Sequence, residues 1–182
     1  MGEFLAPTLL VATPPLVDPN FKETVVLLFL HNPGGAMGVV INRPTEYTVG
    51  EILGAVTDVD YPYLAQTVFW GGPVARETGW FIFKGKDPTE RSLDLGSGLR
   101  LSGSLDLARA LPSIAQGPPI FYMGYSGWAP GQLEKEIEEG AWLTAEIDPE
   151  LIFDVPPEKR WLKVYEHLGI DPALWVPTPG EG

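Results

Sequence analysis

Glycine or proline interrupts this sequence about every ten residues, so no element in it can run long. The 21 glycines and 19 prolines among 182 residues cut the chain into short apolar pieces. Each piece is stable only when it buries its apolar side against the others. A proline inside a helix removes a hydrogen bond and clashes with the turn before it, and one in a central strand breaks the ladder. What stands between the breaks is rich in Val, Ile, Phe, Trp and Tyr, which suit a pleated and partly buried surface. Strands are therefore expected at "TLLVAT" (8–13), "TVVLLFL" (24–30), "GVVIN" (38–42), "TVFWG" (67–71), "GWFIFK" (79–84), "IFYMG" (120–124) and "WLTAEI" (142–147). The second is apolar throughout, which places it mid-sheet with both faces covered. "HNPGGAMG" after it reads as a tight hairpin connection, with Gly34 and Gly35 free to take positive φ.

Helices are fewer. Thr48 with Glu51 three residues on has capping-box spacing ahead of Ile52 and Leu53. Ser104 is placed to cap "LDLARAL", and Pro112 should end or kink that helix. "PGQLEKEIEEG" has Pro130 in its first turn and Gly140 as its stop. "PPEKRWLKVYEHLG" sets Trp161, Tyr165 and Leu168 on one stripe between Pro157 and Gly169. Strands come before any long helix and do not alternate with helices. The expected class is α+β with a mixed, largely antiparallel sheet, in one domain over residues 1–182. Residues 175–182 are expected to form a flexible tail held at Trp175.

Charge and composition remove several functions. The formal net charge is −12, and such a surface repels a phosphate backbone, so direct nucleic-acid binding is not expected. With no cysteine, disulfides, thiolate nucleophiles and cysteine-ligated metals are excluded. The longest apolar stretch, "VVLLFL" at 25–30, is too short to span a bilayer, and no secretory signal is evident. A soluble cytoplasmic protein is the expected reading.

Four separated stretches carry a family resemblance. They are "LLVATPPLVDPNFKETVVLLFLHNPGGAMGVVINRP" at 9–44, "VFWGGPV" at 68–74, "GYSGWAPGQLEKEIEEGAWL" at 124–143 and "LIFDVPPEKRWLKV" at 151–164. In this order they resemble the AlgH/YqgE family of small bacterial proteins. The resemblance implies a single α+β domain whose mixed sheet curls into a pseudo-barrel with helices packed outside. Some members of that family are described as transcriptional regulators on genetic grounds. No agreed activity, cofactor or catalytic residue comes with the resemblance.

The most chemically suggestive stretch is "GYSGW" at 124–128. Gly124 and Ser126 fit the start of a G-x-S-x-G nucleophile elbow, but the second glycine falls one place early, at Gly127, where the motif wants it at 128. A serine hydrolase also needs a histidine base, and only His31 and His167 exist. The expectation is that these glycines form a turn, with Tyr125 and Trp128 closing over the core or lining a groove. His31 reads as a hydrogen-bonding residue at a strand end and His167 as a cation favoured by a helix C-terminus. Arg43, beside Asn42, has the fork to hold a small anion, although an ion pair is the commoner use in so acidic a chain. "WGGPV" at 70–74 lacks phosphate-loop spacing and reads as a turn.

The expected function is a non-enzymatic binding or regulatory domain, acting on gene expression indirectly. Its surface would be built from Asn42, Arg43, Gly71, Gly72, Pro73, Tyr125, Ser126, Gly127, Trp128 and Gln132. Its ligand would be a protein partner or a small anion, with no metal and no cofactor. The alternative is a small hydrolase using Ser126 with His167 or His31.

Overall fold

The computed structural model describes residues 4–53 and 61–176. Ten strands form a single sheet: β1 (Thr8–Ala12), β2 (Val25–Asn32), β3 (Gly35–Val40), β4 (Pro44–Thr48), β5 (Thr67–Trp70), β6 (Val74–Lys84), β7 (Leu93–Gly96), β8 (Leu99–Ser102), β9 (Ile120–Trp128) and β10 (Trp142–Ala145). Five helices accompany them: α1 (Val49–Leu53), α2 (Leu105–Ile114), α3 (Gln132–Glu138), α4 (Pro149–Phe153) and α5 (Arg160–Leu168). The strand order is β10-β1-β2-β3-β9-β6-β8-β7, with the β4–β5 pair joined to β9 through β5. Only β5 with β9 is parallel; the other pairings of the described residues are antiparallel. The class expected from the sequence is therefore observed. The pseudo-barrel is not, because the path ends at β10 and β7, which do not pair, and the sheet stays open.

β2 lies between β1 and β3, and its alternating residues serve two cores. Val25, Leu27 and Phe29 enter one; Val26 and Leu28 enter the other. Over 25–29 the strand is apolar and buried on both faces and has no solvent face to offer, which is why it is central. A third core joins α1 and α2 to the opposite half of the sheet through Val49, Val68, Phe81, Leu107, Leu111 and Phe121.

Several boundaries differ from expectation for identifiable reasons. The β2–β3 hairpin is tighter than "HNPGGAMG" suggested, since β2 runs to Asn32 and β3 begins at Gly35. β4, β7 and β8 had no strong apolar signature; β4 has no buried residue at all. Ser104 caps α2 by accepting from the Leu107 amide at 3.3 Å, and Thr48 accepts from Glu51 at 3.3 Å, both as the spacing suggested. Pro112 does not end α2, which continues to Ile114. Its missing N–H would have donated to the Ala108 carbonyl, and the Tyr61 hydroxyl donates there instead, at 2.8 Å. Burial raises the pKa of that phenol well above its ordinary range, with Tyr63 adding to the effect.

The α5 stripe docks as its spacing implied. Trp161 Nε1 and Tyr165 Oη both donate to the Ala12 carbonyl at the end of β1, at 2.8 and 2.9 Å. Gly169 closes the helix in the left-handed region, with φ +72°. Trp175 packs against the first core, and the remainder of the expected tail, 177–182, lies outside the described residues.

Candidate functional site

The strand that organises the molecule is β9. Over 121–123 it pairs with β5 on one edge and over 120–125 with β6 on the other, while 126–128 pair with β3. Only residues 71–73 separate β5 from β6, so this link must cross the face of β9. It does so in direct backbone contact. A Cβ on Gly72 (φ +154°) would lie 2.1 Å from the Tyr125 carbonyl, and one on Gly124 (φ +77°) would lie 2.4 Å from the Gly72 oxygen. Glycine is required on both sides of the crossing. The pairing of "WGGPV" with "GYSGW" in the sequence thus records a steric contact between two segments about fifty residues apart.

This corrects the turn reading of both stretches. "GYSGW" is the second half of β9, and "WGGPV" is the crossing link. Gly124 shifts the alternation of β9, so that Tyr122 and Tyr125 both face the first core. Ser126 lies on the opposite side, fully buried, its hydroxyl donating to the Gly71 carbonyl at 3.2 Å. That hydroxyl holds the crossing in place.

The histidines are engaged elsewhere. His31 lies on β2, separated from Ser126 by β3. Its Nδ1 accepts from the Leu5 amide at 3.0 Å, which leaves Nε2 as the protonated nitrogen, donating to Glu134 at 2.9 Å. The His31 hydrogen bond holds the Glu134 carboxyl below its ordinary range. Phe4 meets the His31 ring edge-on at 5.1 Å, so His31 fastens the N-terminal segment to α3. His167, at the end of α5, is half-exposed and sits 4.0 Å from Asp148.

Arg43 does not present its fork to solvent. Nη1 donates to Pro19 and Asn20 and Nη2 to Lys22, at 2.9, 2.9 and 2.8 Å, with the guanidinium over the Trp70 ring at 5.5 Å. Burial lowers its pKa, partly offset by Asp18. Asn42 works beside it, accepting from Val25 and donating to Glu23, both at 2.9 Å. The pair staples the 18–24 loop to the sheet, and three of the guanidinium's five donors are spent on that loop.

Gln132 and Trp128 belong to a further latch. Glu136 Oε1 accepts from the indoles of Trp128 and Trp142, at 3.1 and 3.0 Å, and Oε2 from Gln132 at 2.8 Å. Phe21 stacks on Trp128 and meets Trp142 edge-on. Glu136 was not singled out from the sequence, where "EKEIEEG" reads as a solvated face. Its spacing four residues after Gln132 and six before Trp142 was the available signal. Arg160 was missed as well: it is buried, donates to the Val155 and Ile41 carbonyls, and lies over the Phe69 ring. Burial lowers its pKa.

Of the candidate residues, Tyr125, Gly127 and Trp128 do share a recess. With Leu30, Met37 and Val74 they line a groove of about 390 Å³ across β2, β3, β9 and the start of β6. Leu30 is 42% and Val74 38% exposed, and they stand at opposite sides of the recess, on β2 and β6. Among the described residues no group of three or more His, Asp or Glu is placed to hold a metal ion, and no helix is long and apolar enough to cross a membrane.

Fold and site together define an open-sheet α+β domain built around a glycine crossing, with an apolar groove beside it. The AlgH-like family model, DUF179, matches residues 9–173, and the chain belongs to that family. A UPF0301 protein of Anaeromyxobacter dehalogenans is 43% identical, the match covering 93% of this chain and 90% of that one. One from Vibrio cholerae is 41% identical, covering 90% and 91%. The solution structure of the AlgH protein from Pseudomonas aeruginosa matches over the whole of both chains, at TM-score 0.78 and 33% identity. A Corynebacterium diphtheriae crystal structure, at TM-score 0.77 and 21% identity over 99% of this chain and 91% of that one, shares the fold.

Proposed function

We propose that this chain is a non-catalytic binding domain of the cytoplasm whose working surface is the groove at Tyr125, Gly127 and Trp128. The observation that carries this reading is the state of the one serine that resembled a nucleophile. Ser126 is buried beneath the crossing link with its hydroxyl committed to Gly71, while both nitrogens of His31 are taken by Leu5 and Glu134. A nucleophile needs a base in hydrogen-bond reach and an open approach for the substrate. The groove offers what a binding surface needs: exposed apolar side chains at Leu30 and Val74, an aromatic wall at Tyr125, and a bare backbone at Gly127. Its partner is a protein segment presenting an apolar side chain. An effect on gene expression would run through such a partner, since a net charge of −12 opposes contact with DNA.

A broad esterase and amidase screen of wild type and Ser126→Ala tests this. No turnover above the variant is expected. Turnover that vanishes in a folded Ser126→Ala protein would overturn the reading in favour of the hydrolase.

A further inference from the structure

A second recess lies in the third core, beneath α1 and α2, and we propose that it binds the hydrocarbon chain of a medium-length amphiphile whose head group is neutral or cationic. This inference is independent of the groove. Phe121 and Met123 face this side of β9, whereas Tyr125 faces the first core. The walls are Val49, Val68, Phe81, Ala108, Phe121 and Met123, around a volume of about 200 Å³. A cavity of roughly 150 Å³ walled by such side chains stays dry and takes up benzene. The recess therefore holds a chain of about six to eight carbons on the same comparison.

Water has little hold there. A buried water needs two to four polar partners. The side-chain polar groups among the lining residues are the Ser104 hydroxyl, turned to cap α2, and the Trp80 indole and Tyr122 hydroxyl, which are buried without partners among the described residues, on rings that pack in the first core. At the rim, Ile52 and Leu105 are 38% and 40% exposed, apolar side chains at the point where a chain would enter.

Charge selects the head group. Among the described residues no Lys or Arg lines the recess. The residues beside Ile52 and Leu105 in the sequence include Glu51 and Asp106; Asp106 is paired with Arg91 at 3.1 Å, so the rim charge that bears on a head group is that of Glu51. The positive end of α2 is already answered by the Ser104 cap and by Asp106 in its first turn. A carboxylate head would meet Glu51 on a chain of net charge −12, whereas an ammonium or hydroxyl head would meet no such repulsion.

The three methionines make the test direct, because Met123 lines this recess and Met37 lines the groove. Methyl-labelled protein is titrated with straight-chain alcohols of about four to ten carbons. The Met123 signal should shift saturably and Met37 should not. Affinity should tighten roughly fourfold per added methylene and level off near about eight carbons. Octylammonium should bind at least as well as octan-1-ol. Octanoate should bind more weakly, by a margin that closes as salt is added. Ala108→Leu should fill the recess and abolish the shift; Leu105→Trp, at the exposed rim, does so without touching the core. A Met123 signal unmoved at the solubility limit of octan-1-ol, affinity that keeps rising past ten carbons, or binding unchanged in Leu105→Trp would overturn the site. Tighter binding of octanoate than of octylammonium would overturn the choice of head group.

Discussion

Two glycines with nearly the same positive φ separate the steric demand of the crossing from the cost of an L-residue at positive φ. Gly124 has φ +77° and Gly131 φ +76°. Replacing either with alanine forces an L-residue into the left-handed region, at about 1–2 kcal/mol, partly offset by the stiffer unfolded chain. At Gly131 nothing lies within 4 Å of the new Cβ, so about 1 kcal/mol is the whole expected loss. At Gly124 the Cβ would stand 2.4 Å from the Gly72 oxygen and 3.2 Å from the Val74 oxygen. Ordinary contact begins near 3.4 Å, so the link must lift by about 1 Å from 3.4 − 2.4. The link cannot give by rotating a side chain, because both surfaces are backbone. Lifting it strains the Gly71 amide bond to Met123 and the Val40 amide bond to Gly71, at 2.8 and 2.9 Å. Overpacking of this kind adds roughly 1–3 kcal/mol, giving Gly124→Ala a loss of about 2–5 kcal/mol. Urea unfolding followed by tryptophan fluorescence would measure both variants. Losses equal to within about 0.5 kcal/mol would refute the claim that a steric crossing dictates glycine at 124.

Two further outcomes test other contacts. Tyr61→Phe should cost about 1–2 kcal/mol by leaving the Ala108 carbonyl without its donor; adding Pro112→Ala, which restores an amide there, should recover part of the loss, and strict additivity in the cycle would refute the substitution of hydroxyl for amide. Glu134 is held below its ordinary pKa of 4.5 by His31, so its contribution is complete above that value and is lost as pH falls through the lower folded value; Glu134→Gln should therefore be less stable at neutral pH and converge with wild type in acid, and a difference that stays constant into acid would count against the pairing.

The fold was legible where the hydrophobic pattern was unambiguous. β2, apolar at every position over 25–30, could only be central, and the caps at Thr48 and Ser104 could be read from spacing. β4 could not, because none of its residues is buried, and β7 and β8 could not, because the leucines they bury fall in strands too short to show a period. The site was legible as a set of residues and illegible as geometry. Gly71, Gly72 and Gly124 stood out, but glycine signals a turn and a close backbone approach equally well, and only the positions of β5 and β6 on either edge of β9 decide between them. Arg43 and Gln132 were noticed for the polar groups they carry. Those groups are engaged internally, by carbonyls of the 18–24 loop and by Glu136, partners that no local window reveals.

The placement of β9 also governs the order of events when the chain is made. The segment that joins both halves of the sheet is synthesised after about two-thirds of the protein, so β5, β6 and the link between them have nothing to straddle until Trp128 has left the ribosome. Early contacts can pair β1 with β2 and β3, β4 with β5, and β8 with β6 and β7, but joining these pieces into one sheet waits for a late strand to thread beneath a bridge already in the chain.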